Sequence, residues 1–319
     1  MAESTNKFFN HLKIHSQYSI CEGAIKIDEL NDFAKKSRLK SLAICDTSNL
    51  CGALEFAEKI SKAGTQPIIG TQINFKFGDT IGLLPLFALN EEGYKQIIKF
   101  SSKSYLSNKE NTDPYLDFND LLNLDTSGIS IFSGTIFGLF GKMFNKGNIS
   151  EISNLYQKLI KTFDNRFYLE IQRHNDQNEK NFESFNLTQS NNLKIPLIAT
   201  NEVFYLSKEM YEAHDALICI GHKTYINEKN RIKLSSEHYL KSDLEMSKLF
   251  ADIPEALENN YNFPLRCNFR PLFSKPMLPN ISSSKEGDAN EIISNESLVG
   301  LREKFIKFFK LDPEELENN

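Results

Sequence analysis

Residues 41–70 read SLAICDTSNLCGALEFAEKISKAGTQPIIG. Ser41–Cys45 is a flat apolar block without alternation, the pattern of a strand buried on both faces. Leu54, Ala57, Glu58 and Ile60 then recur at helical spacing and run into Gly64, which suits a helix C-cap because glycine enters the left-handed region without a Cβ clash. Pro67 opens the next apolar block. Strand, helix and strand in so short a stretch form the crossover unit of a parallel sheet.

The same alternation extends in both directions. Strands are predicted near Phe8–His15, Ser41–Cys45, Pro67–Phe75, Ile81–Leu89, Ile129–Ser133, Phe167–Gln172 and Ile195–Thr200. Helical spacing separates them: Ile27, Leu30, Phe33 and Ala34, and later Ile152, Leu155, Leu159 and Ile160 within Ile149–Phe163. About seven such units in the first ~200 residues fit an α/β fold, a closed, mainly parallel β/α barrel rather than an open sheet. After Thr200 the pattern is helical, at Met210–Ile220, Asp243–Phe250 and Pro254–Tyr261. Pro264, Pro271, Pro276 and Pro279 mark an extended stretch, Ser282–Asp288 a polar linker, and Glu296–Lys310 an amphipathic helix with Leu298, Leu301, Phe305, Phe308 and Phe309 on one side. Two regions are expected: residues 1–270, a barrel with its C-terminal helices, and residues 271–319, a linker and the start of a following region.

The chain has 319 residues, 40% hydrophobic and 25% charged, enough to bury a core without disulfides or metal. Net charge is −5, and residues 285–319 carry −4 of it, from 9 acids and 5 bases. The nearly neutral body argues against a protein that grips DNA over its whole surface. The five cysteines, Cys21, Cys45, Cys51, Cys219 and Cys267, include no CxxC pair, which fits a reduced cytoplasmic protein. The N-terminus has no apolar h-region, and the most apolar stretch, Ile129–Phe144, is too short to cross a bilayer, so neither a signal peptide nor a membrane contact is expected.

In a β/α barrel, chemistry sits at the C-terminal ends of the strands. There lie His11, Lys13 and His15; Asp46 and Thr47; Thr71 and Gln72; Ser133 and Thr135; Glu170, Gln172 and His174; and Asn201 and Glu202. Two histidines and two carboxylates on separate strands make a metal site one reading, since a divalent ion needs three or four such donors. The other reading is that His15 and His174 are polar rim residues bonded to backbone. Gly134–Lys142 (GTIFGLFGK) fails the phosphate-loop spacing, and Met143 follows its lysine. His214 and His222 read as helix-face residues, and Arg231, Lys233, Lys241 and Lys248 as a solvated basic face with a DNA contact as the alternative. There is no Asp-x-Asp pair of the kind that holds two metals for phosphoryl transfer.

Several of these segments together resemble a known family. His11-Leu-Lys-Ile-His-Ser-Gln-Tyr-Ser19 with Cys21-Glu-Gly-Ala24, Leu42-Ala-Ile-Cys-Asp-Thr-Ser-Asn-Leu-Cys-Gly52, Lys62–Gly70, Tyr168-Leu-Glu-Ile-Gln-Arg-His174, Pro196–Asn201, Ala213–Ile220, Leu249–Asn259 and Arg266–Asn268 follow in the order found at the start of bacterial DNA polymerase III alpha subunits. The likeness runs from about residue 8 to about 305, and that region is the PHP (polymerase and histidinol phosphatase) domain.

The resemblance implies a distorted seven-stranded β/α barrel. In intact members, His, Asp, Glu and Cys at the strand ends bind up to three metals, usually zinc, and support phosphoesterase or 3′–5′ exonuclease activity. This sequence departs at most of those positions. Lys13 stands for the first His of the H-x-H pair, Glu22 for an Asp, Thr47 for the His after Asp46, Gln72 for a Glu, Thr135 for a Cys, and Glu202 and Phe204 for an Asp-x-His. Only His15 and His174 stay identical. Thr and Gln are poor zinc ligands and Phe is none, and an ammonium beside a dication is repelled even with strong screening. Lys13 is therefore expected to pair with Glu22 or Glu202 in a degenerate, metal-free site.

The resemblance further implies that the full-length polypeptide is a DNA-directed DNA polymerase using Mg²⁺ on carboxylates outside this chain. By itself the chain would then be an inactive scaffold. Its partners would be the separate proofreading exonuclease subunit and the other polymerase III subunits, and it would meet DNA through the full-length protein. The alternative is a residual zinc-dependent phosphoesterase, pyrophosphatase or 3′–5′ exonuclease using His15, Glu22, Asp46, His174 and Glu202. A stand-alone nucleic-acid module is disfavoured, because basic and aromatic residues do not interleave.

Overall fold

The chain enters its sheet through a two-residue strand, β1 (Lys13–Ile14), and passes α1 (Ile27–Ser37) before the stretch quoted above. That stretch folds as β2 (Ser41–Thr47), α2 (Ala53–Lys62) and β3 (Gln66–Phe77), with β2 and β3 parallel and Thr47 opposite Gln72. Phe56, Ala57 and Ile60 of α2 are fully buried against Ile27 and Leu30 of α1 and Leu42 and Ile44 of β2. A computed structural model describes residues 8–107, 113–123, 125–276 and 289–310.

The next element departs from the parallel expectation. β4 (Thr80–Ala88) runs antiparallel to β3, turning at Gly78, whose φ of +54° is a left-handed value. Apolar runs set where strands lie but not which way they point, so the hairpin has no signature in the apolar blocks themselves. After α3 (Glu91–Leu106), β5 (Leu116–Asp117) adds to the far end of β3 and leads into α4 (Phe118–Asn123). β6 (Ile129–Phe132) pairs antiparallel with β4. Then α5 (Leu139–Asn145), α6 (Ile149–Phe163), β7 (Phe167–Ile171), α7 (Glu179–Leu193) and β8 (Leu197–Ala199) resume the parallel pattern.

The sheet order is β2-β3-β4-β6-β7-β8. Its edges meet through a small parallel pair: β9 (Glu202–Val203), two residues beyond β8, pairs with β1. Just ahead of β1, the His11 carbonyl accepts from the Ala43 amide of β2 at 3.1 Å. The sheet therefore curls into a distorted β/α barrel. Of the expected first strand, Phe8–His15, only Lys13 and Ile14 join a ladder, because Asn10 instead trades amide bonds with Asn260 at 2.8–2.9 Å.

Three helices follow: α8 (Tyr211–His222), α9 (Asp243–Leu249) and α10 (Pro254–Asn262). The chain divides into two units, Met1–Leu272 and Phe273–Asn319. The second contains α11 (Ala289–Phe309), which begins seven residues before the expected start at Glu296. Its apolar residues do not form one stripe. Ile293, Val299 and Ile306 are exposed on other faces than Leu298, Leu301 and Phe308, so the one-sided reading is corrected. Pro279 and the linker expected at Ser282–Asp288 lie outside the described residues.

Candidate functional site at the barrel mouth

Inward-facing positions recur every second residue along a strand. Cys45, Ile68, Phe87, Phe132, Tyr168 and Ile198 form one buried cluster across six strands, a floor of edge-to-face rings and aliphatics. Gly70 is required there, since a Cβ would come 2.5 Å from the Phe87 ring. Two or four residues further along the same strands the side chains turn polar: Thr47 after Cys45, Gln72 after Ile68, Glu170 after Tyr168, Thr200 and Glu202 after Ile198. The mouth is therefore polar because each strand changes character at its last inward turn.

Lys13 sits at the centre. Its side chain is 0% exposed, and Nζ lies 3.1 Å from Glu202 Oε1 and 3.5 Å from Glu170 Oε1. Glu202 Oε1 also accepts from Gln72 Nε2 at 2.6 Å and lies 3.1 Å from His15 Nε2. Glu170 Oε1 accepts from Gln172 Nε2 at 2.8 Å and from the Thr200 hydroxyl, whereas Oε2 is buried without a partner. Burial alone would favour the neutral form of every group. It would lower the Lys13 ammonium, but Glu170 and Glu202 reverse this and hold it above its ordinary value. It would raise the Glu202 carboxyl, but Lys13 and then His15 hold it well below the carboxylate range. Burial prevails at Glu170, which stays raised despite Lys13. One ammonium thus serves two carboxyls, and Glu202 takes most of the charge.

His174 lies beyond Glu202, in a different setting. Its Nδ1 is 3.1 Å from Glu179 Oε1 and its Nε2 3.1 Å from Asn201 Oδ1. Its ring stacks on His238, centroids 4.0 Å apart and planes within 4°. Burial, then Lys241, pushes the His174 pKa down to about 3, and burial puts His238 well below its usual value. These are buried, neutral rings.

The remaining expected site residues fall around these two clusters. Asp46 accepts from the Ser16 amide (2.7 Å), the Ser16 hydroxyl (2.9 Å) and the Ser19 hydroxyl (2.7 Å), so it knots the β1–α1 loop. Glu22 accepts from Thr47 Oγ1 at 2.6 Å and does not pair with Lys13. Phe204 stacks on His15 at 4.4 Å. Thr135 accepts from the Phe137 amide at 3.1 Å beside the start of α5. His214 is buried, with Nε2 2.7 Å from the Glu22 carbonyl. The solvated basic face does not exist as such: Lys241 is buried, and Arg231 forks onto Asp215 at 2.6 and 2.7 Å.

The sequence places Glu170 and Gln172 at a strand end without giving either a role, and it does not mark His238 or Lys241 as site residues. Glu170 had a signal, a lone acid at an inward position of the apolar run FYLEI. His238 and Lys241 lie in an aperiodic segment that reaches the site through long-range contacts, a bridge between Tyr205 and Tyr239 and the Asn201 amide donating to the Tyr239 carbonyl at 2.9 Å among them.

A metal of the kind the resemblance implies does not fit this donor set. An ammonium stands between the two innermost carboxyls, and a carboxamide and a hydroxyl occupy two further inward positions. Among the described residues, no group of three or more His, Cys, Asp or Glu side chains is arranged to hold an ion.

The curled barrel with its polar mouth defines a class. The PHP domain family matches residues 11–174, and the chain belongs to that family. Its relatives narrow this further. It is 32% identical over 323 residues to the DNA polymerase III subunit alpha of Caulobacter vibrioides, covering 99% of this chain and 28% of that protein. It is 34% identical over 314 residues to the subunit of the same name from Rickettsia conorii, covering 97% and 26%. The chain thus spans about a quarter of the length of these relatives. Among solved structures, it overlaps loosely with a two-domain protein from Bacteroides vulgatus containing a predicted PHP-like metal-dependent phosphoesterase. The TM-score there is 0.38 and the identity 12%, over 75% of this chain and 62% of that one. Among the described residues no helix is long and apolar enough to cross a membrane.

Proposed function

We propose that this chain is the N-terminal PHP domain of a replicative DNA polymerase alpha subunit, and that it works as a metal-free scaffold. Residues 1–270 form the domain, and residues 271–319 lead into the following polymerase region. Template-directed synthesis, with its Mg²⁺, belongs to the full-length polypeptide inside the cell. The domain supports that polypeptide and offers a docking surface to the separate proofreading exonuclease subunit.

The observation that carries the reading is the Lys13 ammonium, fully buried between Glu170 and Glu202. It supplies as a covalent part of the chain the positive charge that the mouth's carboxyls need. A dication at the same place would meet its repulsion, and breaking such a buried ion pair is costly. The residual hydrolase reading has His15, Glu22, Asp46, His174 and Glu202 to draw on. Each of those five already has partners: His15 and Glu202 each other, Glu202 also Lys13 and Gln72, Asp46 Ser16 and Ser19, Glu22 Thr47, and His174 Glu179 and Asn201.

Elemental mass spectrometry of the chain, purified without chelator and then supplied with zinc or manganese, tests this. Metal far below one equivalent per chain, with no metal-stimulated hydrolysis of bis-p-nitrophenyl phosphate, is expected. One tightly held equivalent, lost on substituting His15 or Glu202, would sink the scaffold reading.

A further inference from the structure

α8 ends at His222, and Lys223 turns the chain back with a left-handed φ of 54°. The return segment, residues 224–234, contains no helix or strand, yet it is tightly pinned. The Arg231 guanidinium donates to the Ile226 carbonyl at 3.2 Å and the Ile232 carbonyl at 3.3 Å while it forks onto Asp215 of α8. Glu228 Oε1 accepts from the Tyr225 amide at 3.0 Å, and the Tyr211 hydroxyl donates to the Leu234 carbonyl at 3.1 Å. One guanidinium therefore draws together residues six apart in the chain.

On this frame Ile220, Tyr225, Ile226 and Ile232 face solvent, from 55% to 78% exposed. Ile20, 82% exposed, adds to them from the β1–α1 loop, where a Cβ on Gly221 would come 2.6 Å from Cys21 Cβ. Single exposed apolar residues are ordinary, but several gathered on a pinned loop are the mark of an interaction site. A loop already held in place loses little freedom on binding.

The charge around the patch is mainly positive. Lys223, Lys229 and Lys233 are exposed against one acid of the segment, Glu228, which accepts from the Tyr225 amide, while Arg231 is neutralised by Asp215. A chain of net charge −5 thus presents a positive rim here. Acidic groups complement that rim. Three of the four central apolar residues are isoleucine, which gives side chains to pack against but no π-face for a nucleic-acid base.

We propose that residues 220–233 dock an acidic protein segment with leucine- or phenylalanine-like side chains set among aspartates and glutamates. This rests on the docking reading above and supplies its surface and the chemistry of its partner.

The test is selection from a random 16-residue peptide display library on the whole chain, followed by fluorescence anisotropy of the enriched peptides. Acidic peptides with apolar anchors are expected. Their affinity should fall about 30-fold in the Tyr225→Ser/Ile226→Ser variant, the scale of losing a central anchor. Lys229→Glu/Lys233→Glu, a change of exposed lysines alone, should weaken the same peptides and flatten their salt dependence. Circular dichroism melting should match the wild type in both. Neutral or basic enriched peptides, equal binding to the variants, no enrichment, or preferential binding of an oligothymidylate would each overturn the proposal. Co-elution with the proofreading exonuclease subunit of the same bacterium separates the two readings. If it binds wild type and both variants equally, this surface is wrong and docking stands. If acidic peptides bind only the wild type and the subunit binds none, the surface stands with another partner.

Discussion

Lys13 and Lys241 are both buried lysines of the barrel mouth, with side chains 0% and 5% exposed, yet their proton affinities move in opposite directions. Lys13 is held above its ordinary value; Lys241 is pushed down to about 8 by burial, which Glu237 only partly offsets. The difference lies in the neighbours. Lys13 has two buried carboxyls within 3.5 Å. Lys241 has Glu237 at 3.7 Å, and that carboxylate is taken by Lys208 at 2.6 Å. Its other contacts are neutral: the Asn201 amide oxygen at 3.4 Å, the Glu237 carbonyl and the Tyr239 ring at 4.5 Å. Burial disfavours both charges, and the available counter-charge decides how firmly each proton is held. One side of the mouth is therefore a compensated ion cluster, and the other a set of neutral rings beside one poorly compensated ammonium.

The sharpest way to break that contrast is to delete each ammonium. Lys13→Met leaves Glu202 and Glu170 buried without a cation, and losses of about 3–5 kcal/mol are typical for an orphaned buried charge. The urea midpoint should drop accordingly, and Lys13→Met with Glu202→Gln should recover much of the loss because the carboxylate closest to the ammonium is removed with it. An unchanged midpoint for Lys13→Met would show that the ion cluster contributes nothing.

The parts of this arrangement that a reader of the sequence can see are those set by local pattern. The flat block Ser41–Cys45, the spacing of α2 and the strand-end position of Glu202 were all legible, because buried strands and amphipathic helices write themselves in periodicity. The pairing of Lys13 was legible only as a choice between Glu22 and Glu202. Both lie near the mouth in sequence terms, and only the inward position four residues after Ile198 selects Glu202. The direction of β4 left no mark in its apolar run, and its signal was the two-residue turn Gly78-Asp79, which the apolar pattern passes over; the two-residue β9 is too short to leave a period. Lys241 misled for a related reason: within the aperiodic stretch 235–242, nothing marks its one lysine as a side chain that folds inward.

A second, smaller effect separates the neutral side by pH. His174 titrates at about 3 and His11 at about 4 in the folded chain, both mainly through burial, and His238 is also depressed. Between pH 6.5 and 4.5 the unfolded chain binds protons that the folded rings refuse, so stability falls as acid is added, by up to about 1.4 kcal/mol per pH unit for each such ring. Glu179, raised by burial, works against this slope, while Glu202, held low by Lys13, adds its own loss only below about pH 4.5. His174→Gln keeps a hydrogen-bonding side chain but cannot titrate. Its melting midpoint should decline less steeply over that window. An identical slope would mean that His174 is already protonated in the fold and that the neutral cluster is misassigned.

The smallest effect is expected at Lys241, and it bears most directly on the contrast. At pH 7 its ammonium is charged in both states, so the folded chain carries the desolvation cost with little compensation. Lys241→Met should stay within about 1 kcal/mol of wild type, and on the stabilising side. The sign reverses the expectation for Lys13. Between pH 8 and 10.5 the unfolded chain holds the Lys241 proton more tightly than the folded one, so wild-type stability should rise across that window and the variant's should not. Lys13, with its raised folded value, contributes stability below 10.5 that is lost only at higher pH, so it does not mask the effect. Urea titrations at pH 7 and pH 9.5 measure both quantities. If Lys241→Met costs as much as Lys13→Met, Lys241 is a true ion partner, and the mouth is one charged network rather than two clusters of opposite character.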